Sequence, residues 1–390
     1  MRLQPVTYVF VQKILRTQDR KMAYTTVEKP SAHFDIKLHQ GSSSTTTISG
    51  VGFKPDMILT INRREDNVNR NIVDSSRGNT KNIFANLTDA ETTATRVASF
   101  TSDGFTLTGD ILDTNKNGDG HVNYMWKFNG GTTSSNSDGS ITSTVQVNST
   151  TKCSIVTYTG TGSNATVGHG LGVAPKMIWI KRRSDTDNWQ IYWGDDYQGI
   201  DETDYLEFTN SGTINDNVDR FNDTAPTTSV FSVGTDSTVN NNTDTYVAYC
   251  FAETTGFMAM GALFGNGNNA GPFCYCGFKP RFVVMKAVID DNQHWNIMDT
   301  ERQRTDYDGT ALNFAKKNVV GAMAGSGTPG ALNLSSIHQE GGSRQMHLTS
   351  TGFYVRQPYA DQNANDIRFV WFAFADMPTV GTNGTVATAF

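Results

Sequence analysis

Three times along this chain a Gly-x-x-Pro stop leads straight into an apolar run. Gly52-Phe53-Lys54-Pro55 precedes Met57-Ile58-Leu59, Gly172-Val173-Ala174-Pro175 precedes Met177-Ile178-Trp179, and Gly277-Phe278-Lys279-Pro280 precedes Phe282-Val283-Val284. Such a breaker followed by β-favouring residues marks a strand start. Each run is followed, much further on, by an aromatic closing segment: Tyr124 to Phe128, Tyr246 to Phe251, and Phe369 to Phe374. The phenylalanines that end these segments fall 123 residues apart, so the repeating unit is a whole domain and not a solenoid rung. About twenty residues before each closing segment comes a third anchor: Ser102 to Leu107, Val230 to Val233, and Ser350 to Val355.

A strand and a polar loop also precede each Gly-x-x-Pro: Phe34 to Leu38, Ser154 to Tyr158, and Phe257 to Phe264. With 36 glycines, only 18% charged residues and no 3.6-residue apolar period, the chain reads as all-β, three divergent copies of an antiparallel β-sandwich-like domain in tandem. The expected boundaries are an N-terminal extension over 1–30, β domains over 31–131, 151–254 and 255–377, a polar linker over 132–150, and a C-terminal tail over 378–390. Middle segments such as Leu312 to Asn318 have room for a helical turn.

The net charge of -6 argues against a nucleic-acid partner, since phosphate neutralisation needs a basic stripe. No apolar run approaches the length of a membrane span, so no membrane insertion is expected. Four cysteines, Cys153, Cys250, Cys274 and Cys276, are too few to staple a chain of this size and fit folding in a reducing compartment. Cys274 and Cys276 share one strand face but have no second ligand pair for zinc.

Two segments carry candidate chemistry. Asp113, Asn115, Asn117 and Asp119 alternate like the opening of a calcium loop, yet its twelfth position falls on Tyr124 or Trp126, which cannot ligate. Polar runs stand at the corresponding place in the other units, Asn240 to Asp244 and Asp361 to Asp366, so an ordinary hairpin loop is the first reading and weak calcium the alternative. No other cofactor is expected. Trp193 stands where the other units carry Asp74 and Asp299, so the shared architecture does not require an aromatic there. With Tyr192, Asp195, Asp196 and Tyr197 it forms a candidate aromatic and carboxylate patch able to stack on a sugar and bind its hydroxyls. The paired basics Arg63-Arg64 and Arg182-Arg183, with Glu65, Asp66 and Asp185 beside them and Lys286 as the third unit's nearest counterpart, read as a solvated rim. No Gly-x-Ser-x-Gly, His-Glu-x-x-His or phosphate-loop pattern is present, and an enzyme is not expected.

At Met22 to Ser31, Gly172 to Arg183, Phe231 to Gly234 and Tyr246 to Glu253 the chain resembles repeat domains of bacteriophage structural proteins, common in marine phages and described as tail-fibre-like. That resemblance implies a virion protein made in the host cytoplasm and assembled with other virion proteins. It offers no catalytic or ligand motif to carry over. The expected function is a tail fibre or receptor-binding subunit, a homotrimer touching bacterial surface glycan with many weak sites acting together. The alternatives are a purely structural virion component and, less favoured, a tailspike-like glycan depolymerase. Because the family's usual start resembles Met22, residues 1–21 read as an anchoring or loose extension.

Overall fold

The computed structural model describes residues 25–378 except 26, 65–67, 195–199, 209–212, 290–294, 303–318, 323–344, 357 and 359. The expected N-terminal extension up to residue 24, the C-terminal tail from 379 and the segment 312–318 therefore lie outside the described residues, as do Glu65 and Asp66.

The regular structure of the described chain is nearly all strand, broken only by single helical turns at Pro30–Ala32, Val218–Phe221 and Ser237–Asn240, and every sheet is built from antiparallel pairs. Each closing strand takes an interior position in a sheet. Gly120–Trp126 lies between Phe34–Gln40 and Met57–Asn62; Thr245–Phe251 lies between Cys153–Thr159 and Met177–Arg182; Arg368–Pro378 lies between Met258–Phe264 and Phe278–Ala287. These segments are rich in aromatic residues, and a strand flanked on both sides is where both faces can leave water. The register recurs as well. Trp126 faces Phe34 and Met57, Phe251 faces Cys153 and Met177, and Phe374 faces Met258 and Phe282. Phe128 is thus two residues beyond the position equivalent to Phe251, and the sequence spacing anchored on it is displaced by one strand period.

One face of each central sheet packs on a smaller strand group. In the first unit this group is the separate sheet of Thr46–Ile48 with Gly104–Leu107 and Val97–Thr101 and in the second that of Ala165–Gly168 with Val230–Val233, while in the third it is Phe273–Tyr275 with Gly352–Arg356, the far end of the same eight-stranded sheet. Met125, Cys250 and Ala373 point into these three separate sandwich cores. Their neighbours point the other way: Tyr124 and Trp126, Tyr249 and Phe251, and Phe372 and Phe374 all enter one apolar cluster that draws on every unit.

The three sheets therefore do not sit as separate beads. Phe374 illustrates the sharing, with ring centroids 5.0 Å from Phe34, 5.9 Å from Trp126 and 6.1 Å from Phe251. Burial on both faces explains why Met57–Asn62 and Met177–Arg182 are buried at every residue instead of alternately.

The expected polar linker over 132–150 is also structured. It contains the strands Ser134–Asn136 and Ser143–Asn148, which extend the second sheet by pairing onto Cys153–Thr159. The alternation in Ser143–Asn148 buries Val145 in the second sandwich core, although the segment's polar composition reads as loop. Among the described residues no helix is long and apolar enough to cross a membrane.

Candidate functional site

The positions at which one sheet meets the next carry the strongest chemistry among the described residues. Asp74, Trp193 and Asp299 share one register position, opposite Met57, Met177 and Phe282. Each meets the closing strand of a neighbouring unit. The Tyr249 hydroxyl donates to Asp74 Oδ2 at 2.6 Å, and the Tyr124 hydroxyl donates to Asp299 Oδ2 at 2.8 Å. At the third junction Phe372 stands in the tyrosine position, its ring centroid 6.3 Å from Trp193. The contacts are cyclic: the second unit's tyrosine reaches the first unit, the first unit's reaches the third, and the third unit's phenylalanine reaches the second.

Both aspartates are followed three residues on by an arginine that folds back on them. The Arg77 backbone N–H donates to Asp74 Oδ1 at 2.9 Å and its Nε to Oδ2 at 2.6 Å; the same two bonds join Arg302 to Asp299. A second guanidinium nitrogen donates to the Ile72 carbonyl at 3.3 Å in one case and to the Ile297 carbonyl at 3.0 Å in the other. The aspartate side chain accepting from the backbone two or three residues on is the bond that shapes such a turn, so Asp-x-x-Arg positions its own partner. Arg77 also donates to Glu91 at 2.9 Å, and Glu91 receives Arg183 of the second unit at 2.9 Å. Burial opposes ionisation of Asp299, but the Arg302 charge, its hydrogen bonds and the Tyr124 hydroxyl outweigh it and hold the carboxyl below the usual range. Burial likewise opposes the Arg77 charge, and the surrounding Asp74, Tyr249 and Glu91 raise its pKa above the ordinary value.

Two further contacts between units lie beside the first set. Trp189 Nε1 donates to the Phe84 carbonyl at 2.9 Å and Trp295 Nε1 to the Glu207 carbonyl at 2.8 Å, each crossing to the preceding unit. Arg70 occupies the corresponding position of the first unit and is fully buried; burial, with the Arg302 charge adding to it, pulls its pKa down to about 9.

The aromatic patch expected around Trp193 takes a different form. Trp193 is 1% exposed and enters the shared core, and Tyr192 on the opposite face is 2% exposed and packs against Phe221. Neither ring offers a face to a sugar, because both sides of this strand are covered by sheet. Asp195, Asp196 and Tyr197 lie outside the described residues.

The calcium-like segment is a latch. Asp113 pairs with Arg96 at 2.7 Å, Asp119 accepts from Asn62 Nδ2 at 2.9 Å, and the Asn117 backbone N–H donates to Asp110 at 3.2 Å. Asn115 Oδ1 accepts from the Ser42 N–H at 3.2 Å while its Nδ2 donates to the Ser44 carbonyl at 3.0 Å. Asn240 makes the same two bonds to Thr161 and Ser163, and Asn363 makes them to Asn266 and Asn268. All three asparagines are fully buried. The side chains of Asp113, Asn115 and Asp119 thus diverge to different partners, and among the described residues no group of three or more His, Cys, Asp or Glu gathers to hold a metal. Chelation is expected to leave the melting temperature unchanged; a shift of several degrees in calorimetry would restore the ion.

Of the paired basics, Arg64 is exposed as expected of a solvated rim, whereas Arg182 is buried and Arg183 only partly exposed. Arg182 binds Asp187 at 3.3 Å and Asp244, and Arg183 crosses to Glu91. Lys286 matches Lys181, since both face the equivalent valines Val370 and Val247. All four cysteines are free and buried. Sequence reasoning missed Arg77 and Arg302; the recurring Asp-x-x-Arg after the second strand was the available signal.

Fold and junctions together define an all-β protein whose three sheet units close on one another through a common core. Residues 29–378 match the family model described as a domain of unknown function, DUF7483, and the chain belongs to that family. A single family domain thus spans all three units. Neither the curated proteins nor the solved structures contain a match.

Proposed function

We propose that this protein is a non-enzymatic component of a phage particle, a tail-fibre-like or receptor-binding appendage that contacts bacterial surface glycan, built from three diverged copies of one β-unit. The observation that carries this reading is the cyclic body: three sheets of matching register, each joined to the next through the same positions. Such a frame suits a rigid head with variable outer loops, because the buried charges and aromatics fix the sheets and leave the Gly-, Ser-, Thr- and Asn-rich loops free to differ. The segments that resemble phage repeat domains support the virion placement. They fall largely on the frame strands Met177–Arg182, Val230–Val233 and Thr245–Phe251, as expected of a shared architecture.

Mass spectrometry and immunogold labelling of purified particles, followed by a bacterial-glycan array, test this. Tail labelling with selective glycan binding supports the proposal. Particle association without binding leaves the purely structural component, and absence from particles overturns both. Light scattering at micromolar concentration decides the homotrimer separately; a monomer mass removes it, and the three units within one chain then supply the three-fold body alone.

A further inference from the structure

We propose that Phe273, Tyr275 and Tyr354 form a carbohydrate platform on the third unit, stacking on the C–H face of a neutral pyranose ring. This deepens the glycan-contact reading above and rests on it. The three side chains are 40%, 68% and 37% exposed, on strands whose other residues are largely buried. Phe273 and Tyr275 lie two residues apart on a strand at the edge of its sheet and so point to the same side, while Cys274 between them is buried. Tyr354 is the direct cross-strand partner of Phe273, with ring centroids 4.8 Å apart at 44°. Tyr275 stands opposite Gly352, so no side chain covers it from across the ladder.

The other two units show that the architecture does not require these rings. Phe353, Phe105 and Phe231 are buried in the three sandwich cores, opposite Cys274, Ile48 and Val167. One residue away from those pairs, the Phe273–Tyr354 pair is replaced in the first unit by Thr47 and Thr106, whose hydroxyls lie 3.2 Å apart, and in the second by Thr166 and Ser232. Ser49 and Gly168 stand where the third unit has Tyr275. Two units thus carry small hydroxyl residues at this pair, with Ser232 buried and Thr166 bonded to Ser140 in the second, and only the third carries aromatic rings there.

Size and charge choose the occupant. Three partly exposed aromatics offer on the order of 300 Å², well short of the roughly 800 Å² per partner that a stable protein interface buries. That area favours a small ligand over a second copy of this chain. The paired residues Phe273 to Tyr275 and Gly352 to Tyr354 carry no charge, and the second strand's one charged residue, Arg356, stands at its end beyond that pairing, so the ring platform itself suits an uncharged polyol. A pyranose presents an apolar C–H face to the rings and its hydroxyls to the phenol groups.

The test uses the full chain, with methyl glycosides of glucose, galactose, mannose and N-acetylglucosamine as probes in saturation-transfer NMR. It compares the wild type with the Phe273→Thr, Tyr275→Gly, Tyr354→Ser triple variant, whose residues are those of the other units, and with Tyr275→Ser alone in case the triple variant misfolds. The expected result is transfer to at least one glycoside in the wild type, lost at least ten-fold in the triple variant and reduced in Tyr275→Ser, with the melting temperature unchanged. No transfer to any wild-type sample overturns the platform, since stacking on a ring face does not demand one particular sugar. Equal transfer in wild type and variants overturns it too, and leaves glycan contact elsewhere on the protein standing. Wild-type self-association abolished in the variants would make the patch a contact between copies and also overturn the proposal.

Discussion

Replacing Arg77 with methionine is expected to destabilise the whole protein by about 3–5 kcal/mol, because it strips a buried carboxylate of its counter-charge. Asp74 and Arg77 both have side chains with no exposure, and Asp74 would keep only the Tyr249 hydroxyl and backbone donors. Glu91 would lose one of its two arginines at the same stroke. Tyr249→Phe, which removes the hydroxyl's bond to Asp74 and the longer one it accepts from Arg77 but leaves the ion pair in place, should cost less, about 1.5–3 kcal/mol. Urea unfolding of the two variants checks both values, and a loss below about 1 kcal/mol for Arg77→Met would mean that water reaches the pair. Acid should weaken the same junctions. The pKa values of Asp299 and Glu91 are both depressed in the folded state, so their contribution is fully present above the unfolded carboxylate value, about 4. It is lost as pH falls below that value through the folded pKa values.

How much of this was legible in the sequence depends on what each residue faces. The Gly-x-x-Pro starts, the aromatic closing strands and the Asp74, Trp193 and Asp299 correspondence could be read directly, because a strand's start and its apolar content are local properties. The shared core could not. A strand buried on both faces has the same composition whether its second face meets its own sandwich or a neighbouring unit, so Tyr124, Tyr249 and Phe372 read as ordinary core. The displacement at Phe128 has a related cause: a slip of two residues keeps every side chain on its own face, and periodicity does not detect it. The Asn115 latch imitated a calcium loop because both uses need short oxygen-bearing side chains in a turn. Only their directions, set by Ser42 and its counterparts in the other units, tell the two apart.

The sharpest consequence of the cyclic junctions concerns the residue that departs from their pattern. Aspartate is the native residue at 74 and 299, yet Trp193→Asp is expected to be among the most damaging substitutions in the chain, costing more than the roughly 3–5 kcal/mol of a large-to-small core change. The two native aspartates are each held by an arginine three residues on and by a tyrosine from the next unit. Position 193 has Phe372 across the junction and Asp196 three residues on in sequence, so a carboxylate there would be buried with neither the arginine nor the tyrosine that holds its counterparts. Its removal as Trp193→Ala should fall within the roughly 3–5 kcal/mol range, since only packing is lost. Adding Phe372→Tyr and Asp196→Arg to Trp193→Asp supplies the missing hydroxyl and guanidinium, and thermal unfolding should recover a large part of the loss in the triple variant. Recovery would establish that the three junctions are interchangeable solutions to one contact, two ionic and one aromatic. If the triple variant unfolds as early as Trp193→Asp alone, the junctions are not equivalent and the cyclic description of the body fails at its third contact.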